Sequence, residues 1–138
     1  MTATTLRKSI YLKADKETVW AFLTQPDKLA EWFHKPASPL VEGEDYAMYG
    51  TTSGDKLMWG TVTDARPHDY LEYSFTITPM GETTSTVRWT LDDVPGGTRL
   101  SLEHDGLPQG AEAFGLTLAL DKGWDDHFSR LRDSMPSD

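Results

Sequence analysis

IYLKADKETVWAFLTQPDKLAEWF, residues 10–33, carries two tryptophans twelve positions apart with a proline between them. The stretch begins inside a strand. In LRKSIYLKA (6–14), Leu6, Lys8, Ile10 and Leu12 alternate with Arg7, Ser9, Tyr11 and Lys13, which leaves one mostly apolar face. Asp15 then offers an N-cap, and Val19, Trp20 and Leu23 recur at helical spacing. Pro26 stops that helix. Asp27 is expected to cap a second, short one, whose Leu29, Trp32 and Phe33 share a face. The stretch therefore predicts a strand and two short helices with a break, both turning aromatic side chains inward.

Beyond it, residues 38–106 read as strands and tight turns. EGED, TSGDK, RPHD, PMGE and VPGG supply the Gly and Pro that reversals need. Between them lie DYAMYG, LMWGTVTDA, YLEYSFTI, STVRWTLDD and TRLSLEHD. Leu71, Tyr73, Phe75 and Ile77 alternate with Tyr70, Glu72, Ser74 and Thr76, and Val87, Trp89 and Leu91 with Arg88, Thr90 and Asp92. Consecutive strands with short turns make an antiparallel meander. A further short strand is expected near Pro39 to Val41.

After Pro108 the pattern turns helical. In AEAFGLTLALDKGWDDHFSRLRDSM, Phe114, Leu118, Trp124, Phe128 and Leu131 are read as one face. Gly115 and Gly123 weaken this helix by roughly 1 kcal/mol each relative to Ala. The tail PSD is expected to fray. The order β-αα-β-β-β-β-β-β-α is that of an α+β domain whose sheet has one apolar face, and the long last helix is the element large enough to cover it.

At 138 residues, 38% of them hydrophobic and 25% charged, the chain fits one domain with a real core. Its formal net charge of −9 opposes nucleic acid and anionic headgroups, which are bound by Lys and Arg. Without cysteine there is no disulfide, thiolate metal site or Cys nucleophile. MTATTLRKSI holds no apolar stretch long enough for a signal peptide, and no run is long enough to insert in a membrane. A cytoplasmic protein is expected.

IYLKADKETVWAFLTQPDKLAEWF, WGTVTDARPHDYLEYSF, VRWTL, GTRLSLEHDGL and the late GW with Leu131 together resemble the activator-of-Hsp90-ATPase homologue 1-like group. That group belongs to the SRPBCC superfamily, also called START-like or Bet v 1-like. The resemblance spans roughly residues 8–132 and implies one such domain over residues 1–138. It also implies a helix-grip fold, in which a curved antiparallel sheet wraps a long C-terminal helix and two short helices close one end. Relatives usually carry Pro after the Ala at the first helix, where this chain has Asp15; an Asp cap serves the same start. Many members of the superfamily hold lipids, polyketides, plant hormones or other hydrophobic molecules between sheet and helix. Some are aromatases or cyclases, and the eukaryotic namesake domain assists Hsp90.

The residues expected to line such a cavity are Trp32, Phe33, Met48, Trp59, Tyr73, Phe75, Trp89, His104, Phe114 and Leu118. Met58 and Trp59 fall on opposite strand faces, so at most one points inward. Trp20 reads as a core anchor. His104 shares a face with Leu100 and Leu102, so it should point into the apolar side as a satisfied histidine, a polar handle or, with Tyr73 or a carboxylate, an acid–base group. Asp121 and Asp125, at i and i+4, read as a solvated helix face. The four histidines show no paired ligand spacing, so no metal is expected, and no motif calls for a cofactor. GTTSG (50–54) is a turn and not a nucleophile motif.

The expected function is non-catalytic binding of a small hydrophobic molecule (lipid, polyketide or aromatic metabolite) in the central cavity. The alternatives are a co-chaperone-like domain acting on an Hsp90 homologue and, behind it, a cyclase or hydrolase using His104.

Overall fold

The computed structural model describes residues 4–50, 54–77, 84–107 and 114–135. In chain order the elements are β1 (Thr4–Leu12), α1 (Lys16–Thr24), α2 (Pro26–Trp32), β2 (Lys35–Pro36), β3 (Asp45–Tyr49), β4 (Lys56–Arg66), β5 (Tyr70–Ile77), β6 (Ser85–Val94), β7 (Gly97–Leu107) and α3 (Phe114–Ser134). The strands form one antiparallel sheet in the order β1-β7-β6-β5-β4-β3-β2. Strands β2 to β7 make a meander, and β1 crosses over to pair with β7. The sheet curves around α3 in the helix grip that the family resemblance implies.

Period two sets the faces of the sheet. Leu71 stands opposite Trp89, and Trp89 opposite Leu102, so a continuous apolar row crosses β5, β6 and β7 toward the helix. The alternate positions face out. There Arg88 reaches Glu72 at 3.3 Å, Asp105 at 3.5 Å and Glu103 at 3.8 Å, a network that gives the bare side of the sheet a charged surface.

At the start of α1, Asp15 accepts the Thr18 N–H at 2.8 Å, the expected cap. The second helix starts differently. Gln25 is its N-cap, Pro26 occupies the first turn, and Asp27 makes no capping bond. Proline suits that place because its missing N–H has no helical partner there in any case and its φ is preset. Gln25 accordingly takes the extended conformation that a following proline favours, with φ −90° and ψ 133°.

The short strand also falls elsewhere. Lys35 pairs with Tyr49 and Pro36 with Met48, whereas in residues 39–41 Leu40 sends its N–H back to the Thr24 carbonyl at 3.0 Å. The PMGE turn, most of GTTSG and the PSD tail lie outside the described residues.

On α3 the expected single face divides in two. Trp124, Phe128 and Leu131 are buried against the sheet, with Trp89 5.5 Å from Trp124 and 5.9 Å from Phe128 by ring centroid. Phe114 and Leu118 are instead 59% and 54% exposed. At about 100° per residue, Leu118 lies roughly 110° round the helix from the line through the buried three. Asp121 and Asp125 have a partner that spacing alone does not show. Both hold Lys8 of β1, at 2.8 and 2.9 Å, which ties α3 to the edge of the sheet. Partial burial works against the charge on Lys8, but its hydrogen bonds to the two carboxylates outweigh this and raise its pKa.

Candidate functional site

Among the described residues, large side chains fill much of the space between sheet and helix. Trp32, 1% exposed, donates its indole N–H to the Phe22 carbonyl at 2.8 Å and sets its ring edge-on to Trp89. Trp89 in turn donates to the Tyr73 hydroxyl at 3.0 Å, and Tyr46 donates to the Ser74 carbonyl at 2.7 Å. Met48 is fully buried beside them. Burial pushes the Tyr73 hydroxyl pKa up, so that group stays protonated. Trp32, Met48, Tyr73 and Trp89 therefore pack the interior. Trp20 is half-buried against the core, with the His68 ring edge-on at 6.3 Å.

His104 has no solvent exposure and faces inward, as its alternation predicts. The Trp124 indole N–H donates to its Nδ1 at 3.0 Å, which makes Nδ1 the acceptor and places the ring proton on Nε2. That proton goes to Ser85 Oγ at 2.8 Å, and the Ser85 hydroxyl passes on to the Phe75 carbonyl at 2.9 Å. Both ring nitrogens are thus committed, and the serine proton points away from the imidazole. Burial lowers the pKa of His104 to about 4. This arrangement positions α3 on the sheet and leaves His104 without a free basic nitrogen.

Among the described residues, a cleft of about 130 Å³ stays open where the end of α2 meets α3 and the ends of β4 and β5. Phe33, Phe75, Trp124, Met58, Ile77 and Leu120 form its apolar walls. Phe33 is the centre of the aromatic group. It stacks on His34 at 4.5 Å and on Trp124 at 5.4 Å, and takes the edge of His127 at 4.7 Å. The two imidazoles meet edge to face at 5.3 Å.

Arg130 and the end of α2 converge on one nitrogen of His127: Nδ1 lies 2.6 Å from Arg130 Nη2, which can only donate, and 3.1 Å from the Trp32 carbonyl, which can only accept. Arg130 Nε meanwhile donates to the Trp32 carbonyl at 3.3 Å and caps the end of α2. Burial, then the neighbouring His34 and Arg130, lower the His127 pKa to about 4. His34 moves in the same direction, through burial and then Arg130. Both rings are neutral at pH 7.

Of the residues expected at the site, Phe33 and Phe75 line this cleft. Met58, not Trp59, is the inward member of its pair. Trp59 lies on the outer face under Lys56, whose Nζ is 4.8 Å from the ring centroid, in an open hollow of about 520 Å³. Phe114 and Leu118 are on the exposed side of α3 and are not among the cleft's walls. His34, Trp124 and His127 were not foreseen in this role. The available signals were the adjacency of His34 to Phe33 and the i, i+3 spacing of Trp124 and His127. No carboxylate is among the cleft's walls, and the described residues contain no group of three or more metal-ligating side chains. The cleft can hold an apolar ring, with two imidazoles at its rim.

Comparison with known proteins places this geometry. In solved structures, MLL2253 from Mesorhizobium loti is similar with a TM-score of 0.82 at 23% identity, over 94% of this chain and 95% of that one. DynU16, from the dynemicin biosynthetic locus, gives 0.81 at 23% identity over 94% of this chain but 46% of its own length. The Aha1 dimer from Colwellia psychrerythraea gives 0.77 at 17% identity, over 95% of each chain. At these identities the likeness is one of fold. No curated protein matches the chain. The model of the family described as Activator of Hsp90 ATPase homolog 1-like protein matches residues 13–135, nearly the whole helix grip from the end of β1 to the end of α3, and the chain belongs to that family.

Proposed function

We propose that this protein binds a small, compact hydrophobic molecule, about one aromatic ring in size, in the cleft beside Phe33. The cleft volume of about 130 Å³ carries this reading. Drug-sized ligands occupy pockets of roughly 300–1,000 Å³, whereas an apolar cavity of roughly 150 Å³ suits benzene. Trp32, Trp89 and Trp124 fill the volume that a lipid chain or a multi-ring polyketide would need, so an aromatic metabolite fits best among the ligand classes of this fold. Removing one ring from water contributes a few kcal/mol, enough for binding around the millimolar range.

Ligand-observed NMR with a graded series (toluene, naphthalene, a C16 fatty acid) tests the size limit. Binding of the single-ring compound with broadening or shift of the Phe33 and Trp124 resonances supports the reading. Binding of the C16 acid alone, or of none, removes it.

Family membership supports a second reading, a protein partner of the Hsp90 kind. Stimulation of an Hsp90 homologue's ATPase by this protein tests it, and an unchanged rate with no complex formation counts against it.

A further inference from the structure

The rim of the cleft is electrostatically one-sided. His34 and His127 contribute their imidazoles to its lining, and Arg130 stands directly behind His127. Among the described residues no carboxylate comes within 4.0 Å of the Arg130 guanidinium. Asp126, one helical turn earlier, is instead paired with Lys122 at 3.0 Å. Asp126 and Arg130 attract one another only at longer range, so the guanidinium has no close ion pair among the described residues in a chain whose net charge is −9. Two of its nitrogens are engaged, Nε by the Trp32 carbonyl and Nη2 by His127 Nδ1, which holds the guanidinium in place beside the rim.

Resting on the ligand reading above, we propose that the cleft selects small aromatic acids: the ring lies against the walls formed by Phe33, Phe75 and Trp124, and the carboxylate lies at the rim toward His34 and His127, with the Arg130 charge behind them. Neutral imidazole N–H groups alone bind an amide or alcohol oxygen as readily as a carboxylate. The fixed charge of Arg130 makes the difference, because a nearby positive charge attracts a carboxylate and leaves a neutral amide or alcohol almost unaffected. The partly dry aromatic surround of Phe33 and Trp124 strengthens it further.

The test is a calorimetric or NMR titration of the wild-type chain with phenylacetate, phenylacetamide and toluene at pH 7. The expected result is that phenylacetate binds at least about tenfold more tightly than phenylacetamide. Raising salt from about 20 mM to about 500 mM should erode that preference selectively, since the rim is partly exposed. In Arg130→Gln the acid and the amide should fall within about threefold of one another. Because Arg130 also caps α2, the salt titration of the wild-type protein stands as the test if that variant unfolds. Equal affinity of acid and amide, with toluene still bound, overturns the acid preference and leaves the ligand reading intact. Failure of all three probes to bind removes the ligand reading and this inference with it.

Discussion

Trp124 on α3 and His104 on β7 are joined by a single hydrogen bond, the indole N–H donating to Nδ1 across 3.0 Å. Through this bond the helix selects the tautomer of a histidine on the sheet. The tautomer then orders Ser85 and the Phe75 carbonyl beneath it. The same indole ring forms a wall of the cleft, so the site and the helix–sheet junction share one side chain.

Trp124→Phe keeps most of the ring and deletes the donor. It leaves a buried acceptor unpaired, and the expected loss is about 1–3 kcal/mol of unfolding free energy in urea titration. His104→Leu in the Trp124→Phe background should cost less than the sum of the two single changes, because the orphaned nitrogen goes with the ring. Strict additivity would show that the bond has no energetic weight.

Acid should destabilise the protein well before its carboxylates titrate. The folded His104 pKa of about 4 lies below the ordinary 6.5, so as pH falls the unfolded chain takes up the proton first. The stability is fully present above about 6.5 and drains away toward about 4, by roughly 3 kcal/mol for this one group. His127 and His34 act with the same sign. Asp105 and Glu72, held below their ordinary range chiefly by hydrogen bonds from Thr5 and Thr63, lose their contribution only at lower pH. Unfolding midpoints measured from pH 7.5 to 4.5 should fall steadily, and His104→Gln should flatten the slope. A midpoint constant over that range contradicts the assignment.

Lys8 has two carboxylates where one would suffice. Asp121→Asn or Asp125→Asn alone should therefore cost less than about 0.5 kcal/mol, while the double change should cost about 1–2 kcal/mol and loosen α3 from β1. Hydrogen exchange of the α3 amides reads the loosening directly. Equal, additive effects would mean that the two acids act independently.

Two glycines should respond in opposite ways to alanine. A methyl group on Gly60 would sit 2.1 Å from the Ser74 carbonyl oxygen, so Gly60→Ala must push β4 from β5, at an expected cost above about 2 kcal/mol. A methyl on Gly123 meets nothing within 4 Å, and Gly123→Ala should raise stability by about 0.5–1 kcal/mol through helix propensity. Because Gly123 lines the cleft, the same change should also weaken toluene binding. Thermal unfolding of the two variants, run beside the ligand titration, checks both signs.

The order of strands and helices and the inward faces were legible because they rest on local rules, while the helix grip itself was what the family resemblance implied. Alternation placed His104, Trp89 and Tyr73 on the inner face, Asp15 capped α1 as its side chain dictates, and the run from Trp124 to Leu131 declared a buried helical line. The errors were also local. Asp27 looked like a cap until Pro26 took the first helical turn, and Leu118 seemed to continue a face that 3.6-residue periodicity carries away from the sheet.

What no window of residues contained is the meeting of distant ones. Phe33 and Trp124 are 91 positions apart in the chain, yet their rings stack at 5.4 Å, and His34 meets His127 at 5.3 Å. By itself the sequence determined the order of strands and helices, the inward faces and the charge. The tertiary structure alone decided that Trp32 and Trp89 fill the interior while Phe33 borders a space. That outcome depends on how closely α3 approaches the curved sheet, a distance set by the packing of side chains from both ends of the chain at once.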